Sequence, residues 1–408
     1  MQLSFLGPLF ERPGPWASVY FDVGQNDESG AKRRELSVRE VCRTLEEQGA
    51  DAATTKAVGE ALSGTAVAEY PAGRALFATD GDVVLSHRLA RAPQGQIASW
   101  GRLPRLMPLL ETCGQDPVCL VAYIDRTGAD FELRGAAGPQ DAGGVEGRQW
   151  PVHRTSTADW SERHFQLKVE NTWEQNAAEI AEALAAAYEE SGAELLVLVG
   201  DQRERPAVHG KLPEALREVT VETEHGGRAA GSDSSVLEEA IQRARRACVD
   251  RRVEAALDRF RAGRVSTDDR QPDAVEGVPA VVEAAREHRI DTLLLRPGGS
   301  DLGRETWVGG EPDQVAVKRG DAQTLGEGEP FSVSAEDALL RSAAVTGADV
   351  LLVPLPDDEP SLSDDDTDRE ATNSTSSTNS TNSTNGPAGT PDTDIPTGGI
   401  GALLRWTY

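Results

Sequence analysis

The run Glu194-Leu-Leu-Val-Leu-Val-Gly200 decides the fold class. Five consecutive apolar residues between a charge and a glycine are too few for a helix. They also lack the alternation of a half-solvated strand, so they read as a strand buried on both faces, the parallel-sheet type. Just before it, Trp173, Ala177, Ile180, Ala181, Leu184 and Tyr188 recur at helical spacing on one face. Asn171 and Glu174 form a capping-box-like pair at the expected helix start. Leu212 to Val219 reads as a helix and Val219 to Thr223 as a strand. This alternation predicts a layered α/β domain over residues 149–225.

The same pattern extends both ways. In residues 1–135, Trp16 to Asp22 alternates like a strand, while Leu36–Gln48 and Thr54–Leu62 read as helices. Ala75–Leu89 reads as a strand pair turning at Asp80-Gly81-Asp82, and Val118–Leu133 as a second pair. The glycine-rich Gly135–Gly147 resembles a linker or flexible loop. A third domain, 233–408, opens with a long helix, Ser235–Phe260. Its arginines alternate with acids and are expected to pair along the helix. Ala274–His288 and Ala335–Thr346 read as helices, Asp291–Arg296 and Asp349–Pro354 as strands. Residues 356–397 then run through Asp364-Asp365-Asp366 into Ser-Thr-Asn repeats, a composition unable to bury enough apolar surface to order itself. Order returns in Gly398-Gly-Ile-Gly-Ala-Leu-Leu-Arg-Trp-Thr-Tyr408, expected as the last strand of the third domain. The acidic stretch is therefore an insertion. The fold class is α/β, in three consecutive domains.

Composition narrows the function. The net charge is -27, and only five of the 41 basic residues are lysine. That balance fits either a cytoplasm rich in salt or a GC-rich coding bias with an acidic tail; at molar salt screening shortens to about 3 Å, so acidity alone does not exclude an RNA partner. No apolar run has the length of a membrane span. The first residues do not read as a signal peptide, and four scattered cysteines fit a reducing cytoplasm. The cysteine and histidine spacings match no zinc site, so no metal is expected. Gly298-Gly-Ser-Asp-Leu-Gly303 fails the dinucleotide-binding spacing, so no cofactor is expected either.

Two stretches carry candidate chemistry. Trp150–Asn171 reads as a polar loop carrying His153, Arg154, Trp160, Arg163, His164 and Gln166, either an ordinary surface loop with its aromatics packed on the helix or a segment that contacts RNA by stacking and hydrogen bonding. Asp82–Leu110 carries Arg88, Arg91, Arg102 and Arg105 with no acid after Asp82, a locally cationic edge in an acidic chain.

Gly14-Pro-Trp-Ala-Ser-Val-Tyr-Phe-Asp22, Trp150-Pro-Val-His153, His164-Phe-Gln166 and the Gly399–Trp406 ending, in that order, resemble the archaeo-eukaryotic class-1 release-factor superfamily. The nearer match is its bacterial and archaeal branch, which includes the ribosome hibernation factor Balon. The resemblance implies three domains of release-factor/Pelota type, the first facing the decoding centre. It also implies a middle-domain loop reaching toward the peptidyl transferase centre, where superfamily hydrolases present Gly-Gly-Gln. Gln166 stands at that place, but His164 and Phe165 precede it, and no Asn-Ile-Lys-Ser stop-codon motif occurs. The expected activity is thus binding of the ribosomal A site without stop-codon-dependent hydrolysis, in hibernation or stress. The expected partners are rRNA and elongation factor Tu or its archaeal equivalent, with the protein itself a monomer. The alternative implied is a peptidyl-tRNA hydrolase rescuing stalled ribosomes through Gln166.

Overall fold

In the first sheet, β1 (Trp16–Asp22) is buried on both faces up to Phe21, which requires cover on each side. Ala17, Val19 and Phe21 pack under two helices, α2 (Glu28–Glu47) and α3 (Ala52–Ser63), together with Val41, Leu45, Val58 and Leu62. A short helix, α1 (Gly7–Phe10), precedes β1, and α4 (Met107–Cys113) closes this region. Asp51 caps α3 by accepting from the Thr54 backbone N–H at 2.8 Å. The expected hairpin is present as β2 (Gly73–Thr79) and β3 (Asp82–Leu89). Asp80 and Gly81 both have positive φ (49° and 79°), the two-residue turn whose twist matches the strands. With β4 (Ile97–Gly101) the order is β3-β2-β1-β4.

The structure, a computed structural model, describes residues 3–23, 28–64, 73–89, 92–93, 95–113, 117–135, 138–146, 160–223, 234–265, 272–326, 328–354 and 396–406. Most of the expected insertion, 355–395, lies outside them.

The strand pair at 118–133 does not join the first sheet. β5 (Cys119–Asp125) and β6 (Gly128–Gly135) belong to the sheet of Glu194–Gly200, whose strand is β8 (Leu195–Val199). β5 and β8 run parallel, Cys119 opposite Leu195 through Tyr123 opposite Val199. A hairpin's own pattern cannot name its sheet, and the expected boundary at 135 falls inside this one. The expected linker is also a strand, β7 (Gly138–Glu146), paired with β6. Its glycines serve contact: a Cβ on Gly144 would lie 2.6 Å from the Ala129 carbonyl oxygen, beside a bulge at Asp130/Glu132. Helix α5 (Trp160–Ser191) buries Ala177, Ile180, Ala181 and Leu184 against one face of the sheet, the stripe expected from the sequence. Two short helices follow β8, α6 (Arg205–His209) and α7 (Glu214–Glu218), before the edge strand β9 (Thr220–Thr223).

The other face of the middle sheet is covered by α8 (Ser234–Gly263), through Leu237, Ile241 and Ala244 on Cys119, Val121, Leu195 and Val197. The helix expected to open the third domain thus completes the second. The chain divides into two compact units, Phe5–Asp258 and Arg259–Tyr408 with Met1–Ser4. Several α8 arginines also reach out of the helix instead of along it. Buried Arg245 donates to the Pro117 carbonyl at 3.2 Å, Arg252 pairs with Glu194, and Arg259 lies 3.8 Å from Asp291.

In the smaller unit, β10 (Ala274–Glu276) occupies what reads as the start of a helix. Gly277, at φ 78°, ends it and α9 (Val278–Arg286) begins. Then follow β11 (Ile290–Leu295), β12 (Glu305–Val308), β13 (Val315–Ala316), α10 (Arg319–Gln323), β14 (Phe331–Ser334), α11 (Ala335–Thr346), β15 (Asp349–Leu352) and β16 (Ile400–Leu404). Strands β12, β13 and β14 form a small sheet. The main sheet has the order β10-β16-β11-β15, so the returning segment is a strand as expected, and a central one. Gly298-Gly299, with the wrong spacing for a nucleotide cradle, has a packing role. A Cβ on Gly299 would lie 2.7 Å from the Gly399 Cα, and Arg296 N–H donates to the Gly399 carbonyl at 2.9 Å. Gly399→Ala places a side chain at φ 86° against that backbone. It should cost about 2–4 kcal/mol in urea denaturation. Gly49→Ala, at φ 89° in open space, should cost about 1 kcal/mol, so equal losses would remove the packing role.

Candidate nucleic-acid interface

The structure separates the expected cationic edge. Arg88 is exposed on β3, one border of the first sheet, whereas Arg102 and Arg105 follow β4, the opposite border. Arg91 lies outside the described residues. The Arg105 backbone is clamped to β1: its N–H donates to Ser18 Oγ at 3.0 Å and its carbonyl accepts from the Tyr20 hydroxyl at 2.6 Å. That hydroxyl also accepts from the Leu109 N–H at 3.1 Å, fixing the start of α4. The Arg105 guanidinium is therefore presented to solvent from a rigid base. The Gln48 side chain ties α2 to β4, donating to Ala98 O at 3.2 Å and accepting from Trp100 N–H at 2.7 Å. A lone glutamine at a helix end gave no signal of this in the sequence.

His87 is not a cation here. Its ring lies 5.5 Å from that of Phe5, and burial holds its pKa below the ordinary histidine value. A neutral imidazole at this edge contributes packing rather than charge.

The polar stretch Trp150–Asn171 divides at Trp160. His153 and Arg154 lie outside the described residues. Trp160, Arg163, His164 and Gln166 lie in the first turns of α5, which begins eleven residues before the expected Asn171 cap. The reason is compositional: residues 160–171 contain neither proline nor glycine, and Glu, Arg, Gln, Leu and Lys propagate a helix well. Hydrophobic periodicity begins only where the helix meets the sheet, at Trp173.

Sequence reasoning missed a charged network at the carboxyl ends of the parallel strands β5, β8 and β9. Fully buried Asn176 of α5 donates to the Arg126 carbonyl at 3.2 Å, and Arg126 Nε donates to Glu204 at 3.2 Å. Burial raises the Glu204 pKa, with Arg126 opposing. Buried Arg205 lies 3.7 Å from Glu222, which also meets His209 Nδ1 at 2.7 Å. These groups answer one another and tie α5 and α6 to the sheet. Among the described residues no cluster of His, Cys, Asp or Glu could hold a metal, and no helix is long and apolar enough to cross a membrane. Burial pushes the Cys119 thiol up to about 12, which makes it an inert core group.

Residues 118–266 match the model of bacterial archaeo-eukaryotic release factor family 2. Over those residues the chain is similar to the archaeo-eukaryotic release factors of the bacterial branch. The release-factor match begins at β5 and runs through α8, the segment that the sheet pairing and helix cover define as one layered body. An uncharacterized protein of Mycobacterium tuberculosis is 29% identical over 350 residues, covering 83% of this chain and 89% of that one. Among solved structures, Saccharomyces cerevisiae Dom34 is 12% identical with a TM-score of 0.40, over 83% of this chain and 80% of that one. Archaeoglobus fulgidus Pelota is 13% identical with a TM-score of 0.33, over the same shares.

His87 gives a test of the interface scaffold. Its folded pKa is lowered, so the stability it supports is present above the unfolded value of about 6.5 and is lost as pH falls. In His87→Gln that loss is absent. The stability of the wild type relative to the variant should therefore decline between pH 7.5 and 5 in urea denaturation. A constant difference would contradict the buried, neutral assignment.

Proposed function

We propose that this protein is a ribosome-associated, release-factor-like factor that occupies the A site without stop-codon-dependent hydrolysis, in hibernation or another stress state. The observation that carries this is the residue environment of Gln166 within the family match. Superfamily hydrolases need a tight, backbone-exposed Gly-Gly-Gln turn. Here Gln166 follows His164-Phe165 in a helical segment whose N–H groups bond four residues back. A helical backbone without glycine is not the tight, exposed turn from which superfamily hydrolases place an attacking water.

The proposed division of labour follows the sheets. The first sheet region faces the decoding centre, with Arg88, Arg91, Arg102 and Arg105 as contacts. The start of α5 and the residues before it, with His153, Arg154, Trp160, Arg163 and His164, reach toward the peptidyl transferase centre and the tRNA acceptor end. The smaller unit offers the surface for elongation factor Tu or its archaeal equivalent. Cytoplasmic residence follows from that role.

Cosedimentation with ribosomes through a salt series tests the reading. The wild type should pellet with ribosomes, and replacement of residues 153–166 by a glycine-serine linker should abolish it. No nascent chain should be released from stalled complexes. Release that disappears in Gln166→Ala would instead assign the peptidyl-tRNA hydrolase, and absence of ribosome binding at every salt would overturn the proposal.

A further inference from the structure

Helices α2 and α3 leave an open groove of about 380 Å³ between them. From α2 it is lined by Val38, Cys42 and Glu46, four residues apart, and from α3 by Thr55, Gly59 and Ser63 at the same interval. Residues four apart share a helix face, so two rows meet along the groove. The α3 row is small, and the helices come close across it. A Cβ on Gly59 would lie 3.1 Å from Cys42 Sγ, and the Cys42 thiol donates to the Thr55 carbonyl at 3.9 Å. Burial, and then the Glu46 carboxylate, raise the Cys42 pKa, so the groove is lined by a neutral thiol and not a thiolate.

One polar group of the groove has no answer. Thr54 accepts from Gly81 N–H at 2.8 Å, and Ser63 donates to the Gly59 carbonyl at 2.7 Å. The hydroxyl of Thr55, a residue 4% exposed, has no hydrogen-bond partner among the described residues. A buried hydroxyl left unpaired is destabilising, and a partner that satisfies it recovers that loss. Charge adds a second asymmetry. Residues 40–63 hold five acids and two bases. Arg43 is taken by Glu40 and Glu47, each at 2.5 Å, and Glu46 has no ion pair among the described residues. On the α3 side, Glu60 meets Lys56 only at 3.7 Å, with both side chains largely exposed.

We infer that this groove docks a short basic amphipathic helix of a partner protein. The small or apolar face of that helix lies on Cys42 and Gly59, its lysines or arginines stand beside Glu46 and Glu60, and one of its polar groups meets the Thr55 hydroxyl. The shape favours a helix over a small molecule. An open trough does not enclose a ligand, whereas an apolar helix face lies along one. From Ala52 to Ser63 the α3 wall is about 16 Å long, roughly three turns at 1.5 Å per residue. Glycine at position 59 leaves room for a second backbone to approach. Glu46 and Glu60 repel a polyanion, which makes nucleic acid the wrong occupant. This contact goes beyond the ribosomal reading and does not rest on it.

Fluorescence anisotropy with the full chain tests the site. The probe is a labelled peptide of about four helical turns, with alanine, leucine and serine on one face and lysine on the other. A twin peptide carries glutamate in place of lysine. The lysine peptide should bind and its twin should not. Glu46→Lys/Glu60→Lys, both exposed positions, should weaken binding about tenfold. Glu239→Lys/Asp250→Lys, which makes the same charge change on exposed positions of α8, should stay within about twofold of wild type. Thr55→Val should melt at higher temperature than wild type, because an unpaired hydroxyl is gone, yet bind the peptide about threefold more weakly. Equal losses in the two charge variants overturn the groove, since net charge alone would then explain binding. Unchanged binding in Thr55→Val overturns it too, because the groove would then be untouched. A wild type that ignores the lysine peptide, or that binds oligouridylate through Glu46 and Glu60 instead, overturns the basic-helix partner.

Discussion

The parallel pairing of β5 with β8 is the constraint on which the larger unit depends. Its ladder joins residues 119–123 to residues 195–199, and both strands bury side chains on both faces. A two-faced apolar pair has no stable form until each face is covered. One cover, α5, lies within the crossover; the other, α8, arrives only after β9. The long-range contact therefore fixes where both long helices must lie, and with them the start of α5 that carries the candidate loop residues. Arg245 and Arg252 secure the second cover at the sheet's border, through the Pro117 carbonyl and Glu194.

Periodicity made the core legible and the boundaries obscure. The α5 stripe, the Asp80-Gly81 turn, the returning C-terminal strand and the α/β class could all be read, because each is a local pattern enforced by burial or φ. Sheet membership could not. Val118–Leu133 has the alternation of a hairpin whichever sheet it joins, and α8 has an amphipathic face whichever body it covers. Glycine misled once: Gly135–Gly147 resembled a linker, but it holds a strand in which Gly144 permits close strand contact. Ala274–Glu276 read as the first turn of a helix, yet the positive φ of Gly277 separates it as a strand.

The candidate interface was legible as composition and illegible as geometry. Four arginines between Arg88 and Arg105 form a cationic stretch on paper, but β3 and β4 carry the two described groups to opposite borders of the sheet. Conversely, the helical start of α5 went unseen because its residues form a helix through propensity alone. Nothing in their spacing records a buried face.

Strand β16 lies between β10 and β11, while the chain preceding it leaves from the border strand β15. The hydrogen bonds that close this sheet thus do not depend on the peptide bonds of residues 355–395. A protease that nicked that segment would yield two polypeptides held as one particle, separable only by unfolding the sheet. Covalent continuity and structural integrity are uncoupled at that point. Length and sequence between β15 and β16 are thereby free to drift as long as Gly398-Gly399 still meets Gly299.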